Sequence, residues 1–184
     1  MTYKMTVAGL DRELPLCKLN DTLSIGAFVI FGDVELTCAC AKALLEKAPE
    51  YDCIVAPEAK AIPLVHEMAR QSGKNEYIIA RKNKKAYMSS VFEVNVKSIT
   101  TEGTQTLYID GEDAKRLQGK RVLIIDDVIS TGESVRAVEQ LVLAAGGIVA
   151  GRMAILAEGD ACKRDDIIYL ERLPLFDAEG NPIE

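Results

Sequence analysis

Apolar and polar positions fall into blocks that read as alternating strands and helices. Ala27-Phe-Val-Ile-Phe31 is a short apolar run that predicts a strand, and a helical period follows from about Glu35 to Lys47. Tyr51 to Ala56 predicts a second strand, and Ile62 to Gln71 a helix stopped at Gly73. Glu76 to Ala80 predicts a third strand. Residues 81–103 are polar with weak alternation at Val91, Glu93, Asn95 and Lys97, and a strand follows at Gln105 to Asp110 before the charged patch Gly111-Glu-Asp113. Arg121 to Ile125 is the strongest strand, a continuous apolar run of the kind buried on both faces of a parallel sheet. Ser134 to Ala145 predicts a helix ended by Gly146-Gly147, and Ile148 to Leu156 another strand. The expected class is α/β, a central and mostly parallel sheet flanked by helices. In such sheets ligands gather at the carboxyl ends of the strands.

Composition narrows the picture further. The 184 residues suit one domain, which buries roughly 70% of the surface its unfolded chain exposes and needs no disulfide or metal staple. With 48% hydrophobic and 27% charged residues the chain has a globular balance, which argues against disorder. Its net charge of −6, from 22 basic and 28 acidic residues, weighs against a broad nucleic-acid-binding surface. The longest uncharged apolar run, Leu141 to Gly151, is far short of a ~20-residue membrane span. The start, Met1 to Val7, lacks the apolar centre of a signal peptide. The odd set Cys17, Cys38, Cys40, Cys53 and Cys162 reads as reduced thiols, so a cytoplasmic location is expected, with neither nucleic-acid nor membrane partners. His66 is the sole histidine, which excludes a His-rich metal site and disfavours a Ser-His-Asp triad.

The candidate chemistry lies in Val122 to Ser134. A buried strand runs into two adjacent carboxylates, Asp126 and Asp127, and the loop Ser130-Thr131-Gly132-Glu133-Ser134 then opens a helix. Gly132 permits a tight turn, the first helical turn offers unpaired N–H groups, and Thr131 and Ser134 add hydroxyls, which together make a phosphate cradle. Acids beside a phosphate cradle are compatible if hydroxyls or a divalent cation lie between them. A phosphorylated sugar with Mg²⁺ meets that description. Neither GxxxxGK[ST] nor GxGxxG follows any strand, so other nucleotide signatures fail.

Val122 to Ser134 closely resembles the phosphoribosyl pyrophosphate signature of the type I phosphoribosyltransferase family. The resemblance covers roughly residues 25 to 156. Pro57-Glu58-Ala59-Lys60 is similar to the pyrophosphate loop of the purine branch, and Arg81-Lys82-Asn83-Lys84 to its RKxxK segment. The stretch ending Glu102-Gly103-Thr104 looks like the mobile catalytic flap.

The resemblance implies a single domain over 1–184, with a small hood built from about 1–24 and 157–184 and a β flap at about 82–104. It implies transfer of ribose 5-phosphate from phosphoribosyl pyrophosphate to a purine base, with Mg²⁺ carried mainly by the phosphoribosyl pyrophosphate and no metal held by the protein itself. A homodimer is the family's usual assembly. Asp126, Asp127 and Glu102 are the implied catalytic residues. Val128, Ile129, Ser130, Thr131, Gly132, Glu133, Ser134, Glu58, Ala59, Lys60, Arg81, Lys82, Lys84 and Lys85 are those implied to hold phosphoribosyl pyrophosphate, with a strained non-proline peptide after Ala59. Phe28, Val128 and Phe176 are candidates to stack on the base. Members that use 6-oxopurines carry a third acid where this chain has Ser130, which points to the adenine branch, then to xanthine. Two departures are plain: Ala59-Lys60-Ala61 stands where the adenine branch has Ser-Arg-Gly, and Glu102 where it has an aromatic. A non-catalytic regulator that binds phosphoribosyl pyrophosphate is the remaining alternative.

Overall fold

The computed structural model describes residues 1–88, 90–97 and 104–183. Among these the order is β1 (Thr2–Val7), β2 (Leu10–Lys18), β3 (Ser24–Gly26), α1 (Val34–Lys47), β4 (Cys53–Pro57), α2 (Ile62–Gln71), β5 (Ile78–Ala80), β6 (Val91–Lys97) and β7 (Thr104–Asp110). Then come α3 (Gly111–Leu117), β8 (Arg121–Ile129), α4 (Glu133–Ala144), β9 (Ile148–Glu158), a 3-10 turn at Gly159–Lys163, β10 (Ile168–Leu173), β11 (Leu175–Phe176) and β12 (Pro182–Ile183). The central sheet has the order β10-β9-β8-β4-β5 and is parallel throughout. Both ends of the chain meet in a second, antiparallel sheet ordered β1-β2-β3-β11-β12. β6 and β7 form a separate hairpin.

The alternation of β8 explains the layering. Leu123 and Ile125 face a core shared with α1 (Leu36, Cys40, Leu44) and α2 (Leu64, Val65, Met68), which also reaches Val7 and Leu14 of the terminal sheet. Val122 and Ile124 face the opposite core, shared with α4 (Val135, Val138, Leu141) and Leu117 of α3. A strand covered on both sides must be apolar at successive positions, which is why the run was so legible. Asp33 caps α1 by accepting from the Leu36 N–H at 3.0 Å, and Pro63 lies in the first turn of α2.

Three expectations change. Ala27–Phe31 is not a strand; the ladder ends at Gly26, and Phe28 and Ile30 are buried while Val29 and Phe31 are exposed. Alternating burial sets the period, but a strand also needs a neighbour to bond, and here the chain is leaving one sheet for the other layer. The patch Gly111-Glu-Asp113 opens α3, because Asp110 accepts from the Glu112 N–H at 3.0 Å and acidic residues fill the first turn. β8 continues through the acid pair to Ile129, and α4 begins at Glu133 rather than Ser134. The weakly alternating stretch pairs as β6–β7, registered from Val91 opposite Asp110 to Lys97 opposite Thr104. Arg81 ties that hairpin to the exit of β5 by exchanging two 2.8 Å backbone hydrogen bonds with Tyr108.

Candidate active site

The acid pair lies at the carboxyl end of β8, with Asp126 8% and Asp127 3% exposed. The Asp127 N–H donates to Asp126 Oδ1 at 2.9 Å. Burial, reinforced by the neighbouring Asp127 charge, pushes the Asp126 carboxyl well above the usual carboxylate range. Lys60 Nζ stands 2.8 Å from Asp127 Oδ2. That contact lacks hydrogen-bond alignment, so the buried oxygen has an ionic neighbour and no directional donor.

The loop beyond β8 has the form expected of a cradle. Gly132 adopts φ +78° as the residue preceding α4, and the Glu133 N–H reaches Thr131 Oγ1 at 3.4 Å. Ser130, Thr131 and Ser134 are exposed, Ile129 is buried, and Val128 is half-buried. A Cβ on Gly132 would collide with Arg164 Nη1. Arg164 is held by Asp166, donating Nε to Oδ1 at 2.8 Å and Nη2 to Oδ2 at 2.7 Å. Thr131, Gly132, Arg136 and Arg164 share a cleft of about 420 Å³.

The segment after β4 reaches the same strand ends. A cis peptide joins Glu58 to Ala59, one position earlier than the strained peptide expected after Ala59. Lys60, from this turn, bridges to Asp127 as above. Glu58 turns the other way and gathers cations: Arg81 Nη1 donates to its Oε1 at 3.0 Å, Lys85 Nζ is 3.9 Å away, and the Lys82 N–H reaches Oε2 at 3.4 Å. Burial opposes ionisation of Glu58, yet these donors and charges hold its pKa below the ordinary value. A carboxylate so engaged is an organiser of cations, not a direct ligand for a polyanion. The Lys82 and Lys84 side chains are exposed.

The structure therefore brings together Asp126, Asp127, the 130–134 loop and Lys60, with the cluster Arg81 to Lys85 assembled on Glu58. Glu102 lies outside the described residues. Of the base-stacking candidates, Phe28 is 4% exposed and Phe176 is 0%, its ring edge-on to Tyr3 at 4.9 Å; only Val128 retains surface. Core packing occupies both aromatic faces that stacking would need, which corrects their assignment in this conformation. Two polar residues at these strand ends were not singled out from sequence. Arg164 has no periodic signal, being placed by a loop. Glu158 follows a continuous apolar strand just as Asp126 does, and the same rule finds it.

No group of three or more His, Cys, Asp or Glu among the described residues could hold a metal ion. Two carboxylates, one with a buried oxygen lacking a directional donor, are a donor set that fits a divalent cation bringing further oxygen ligands.

Comparison with known proteins agrees with this geometry. A family model described as phosphoribosyl transferase domain matches residues 38–176. An adenine phosphoribosyltransferase of Thermotoga petrophila is 37% identical over 109 residues, which span 59% of this chain and 60% of that protein. A hypoxanthine/guanine phosphoribosyltransferase of Methanohalobium evestigatum is 33% identical over 61% of this chain and 55% of its own length. The matched segment thus spans less than two thirds of these relatives. The crystal structure of adenine phosphoribosyltransferase from Rhodothermus marinus superposes with a TM-score of 0.61 at 25% identity, covering 76% of this chain and 80% of that one. The Saccharomyces cerevisiae structure, at 19% identity, gives the same TM-score of 0.61 over 92% and 93% of the two chains, a likeness of fold.

Proposed function

The chain belongs to the phosphoribosyl transferase domain family, and on that premise we propose that it transfers ribose 5-phosphate from phosphoribosyl pyrophosphate to adenine. The observation that carries this reading is the buried acid pair running directly into the Gly132 loop, with Lys60 on Asp127. In the reaction a purine nitrogen attacks C1 of the ribose, the bond from C1 to pyrophosphate breaks, configuration inverts, and the nitrogen loses its proton. Positive charge develops on the ribose and negative charge on the leaving group.

Asp126 and Asp127 hold the ribose hydroxyls and favour the cationic sugar. N–H groups and hydroxyls of Thr131, Gly132, Glu133 and Ser134 fix the 5-phosphate at the positive end of α4. Lys60, Arg81 and Lys85 supply positive charge to the pyrophosphate, and Glu58 keeps the last two in place. Asp126 and Asp127 would also face Mg²⁺ brought by the substrate, which supplies further positive charge to the leaving group. The β6–β7 hairpin is read as the flap, with Glu102 as its acid, closing over the pyrophosphate and excluding water. The terminal sheet is read as the hood, all within one domain.

Adenine is supported by Ser130 at the position where 6-oxopurine members carry an acid, and by relatives named as adenine phosphoribosyltransferases. In this reading the protein acts as a cytoplasmic homodimer; among the described residues no helix is long and apolar enough to cross a membrane. The test is a panel of adenine, hypoxanthine, guanine and xanthine with phosphoribosyl pyrophosphate and Mg²⁺, following nucleotide formation. AMP formation with the highest kcat/KM for adenine is expected. Higher kcat/KM for hypoxanthine or xanthine would transfer the protein to that branch.

A further inference from the structure

Glu158 closes β9 as the acid pair nears the end of β8, and the chemistry above gives it no task. Its backbone is extended, with φ −115° and ψ 136°, so the alternation of β9 continues through it. Leu156 packs in the α1/α2 core and Ala157 in the α4 core, which returns Glu158 to the side where Val128 packs. Ala157 is paired with Ile129, two residues beyond Asp127, and Glu158 is paired with Leu173. Leu173 lies against the terminal sheet, since a Cβ on Gly26 would meet its Cδ1 at 3.1 Å. A Cβ on Gly159 would likewise meet Leu175 Cδ1 of β11 at 3.3 Å. Glu158 therefore stands where the ribose acids, β9 and the terminal sheet converge.

Burial raises the Glu158 pKa, while Lys60 is close enough for its charge to act the other way. Lys60 itself touches Asp127, so one ammonium links Glu158 electrostatically to the acid pair. Among the described residues no hydrogen bond reaches the Glu158 carboxyl. A half-buried acceptor in that state gains from any ligand N–H presented to it.

We infer that Glu158 is a specificity-determining residue for the base, its carboxylate accepting the exocyclic N–H of a 6-aminopurine seated between Val128 and the terminal sheet. The inference rests on the adenine reading. A 6-oxopurine would place a second acceptor against the carboxylate and lose affinity through repulsion and an unmet hydrogen bond.

Steady-state kinetics of Glu158→Leu and Glu158→Gln with adenine and with hypoxanthine test it. Glu158→Leu is expected to lower kcat/KM for adenine about tenfold or more and to narrow its lead over hypoxanthine by a similar factor. The KM for phosphoribosyl pyrophosphate should stay within about twofold, because the phosphate loop is untouched. Glu158→Gln can present an amide N–H to a 6-oxo group, so it should raise hypoxanthine relative to adenine even if the leucine variant fails to fold. An unchanged adenine-to-hypoxanthine ratio in Glu158→Gln overturns the inference. So does an effect confined to the KM for phosphoribosyl pyrophosphate, which would make Glu158 a partner of Lys60. A wild-type protein inactive with adenine defeats the parent reading instead, and is seen before any variant is made.

Discussion

Asp126 shows how a single buried acid can work against the stability of the fold. Its carboxyl is raised on folding, first by burial and then by Asp127, so the folded protein holds that proton more tightly than the unfolded chain does. Ionising it therefore costs stability. The cost is absent below the ordinary aspartate value of 3.8 and grows as pH rises from there toward the raised value. Asp126→Asn is accordingly expected to melt higher than wild type, by more near neutral pH than in mild acid. Thermal melts across pH check this, and a variant no more stable at neutral pH than in acid would remove the electrostatic argument. The Asp126→Asn, Asp127→Asn double variant should fold yet lose about a hundredfold or more in kcat, since charge at the developing cation is gone.

At the scale of the element, strand, loop and helix act as one piece. β8 is anchored on both faces, and its direction aims the 130–134 loop at the start of α4. Gly132 is the joint, because an L side chain at φ +78° costs roughly 1–2 kcal/mol and a Cβ there strikes Arg164 as well. Gly132→Ala should lower stability by at least that amount and raise the KM for phosphoribosyl pyrophosphate. Adding Arg164→Ala should recover only the part due to the collision, since the backbone strain remains. Urea titrations of the three variants separate the two contributions; full recovery would mean that φ at this joint matters little.

At the scale of the whole molecule, the terminal sheet and the central layer are joined by specific contacts between distant parts of the chain. Arg12, on β2, donates Nε to Asp33 Oδ2 at 2.6 Å and Nη2 to Glu35 Oε2 at 2.8 Å, tying the terminal sheet to the cap of α1. The Arg12 hydrogen bond holds the Asp33 pKa below its ordinary value despite partial burial. A depressed carboxyl contributes stability above its unfolded pKa and loses it as pH falls through the folded one. Arg12→Ala should thus lower Tm at neutral pH, with the difference closing in acid. If the terminal sheet covers the base, KM for the base should rise more than KM for phosphoribosyl pyrophosphate; equal rises would argue for general loosening. The net charge of −6 conceals local gatherings of positive charge, with Lys60 beside Asp127 and Arg81 and Lys85 beside Glu58.

Local pattern determined a great deal here. The continuous run of β8, the period of α2 and the Val122-to-Ser134 signature are written in neighbouring residues, because double-sided burial, helical repeat and a tight turn are each local demands on the chain. The strand expected at Ala27–Phe31 failed because hydrogen-bonded pairing depends on which segment lies alongside. The Asp33–Arg12 tie, the gathering of Arg81 and Lys85 on Glu58, and the placing of Arg164 beside Gly132 were decided only by the tertiary structure. Each joins residues far apart in sequence, and the sequence carries no term for their distance until the sheet has twisted and the helices have packed. The candidate site could be located from one strand and its loop; which side chains surround it had to wait for the fold.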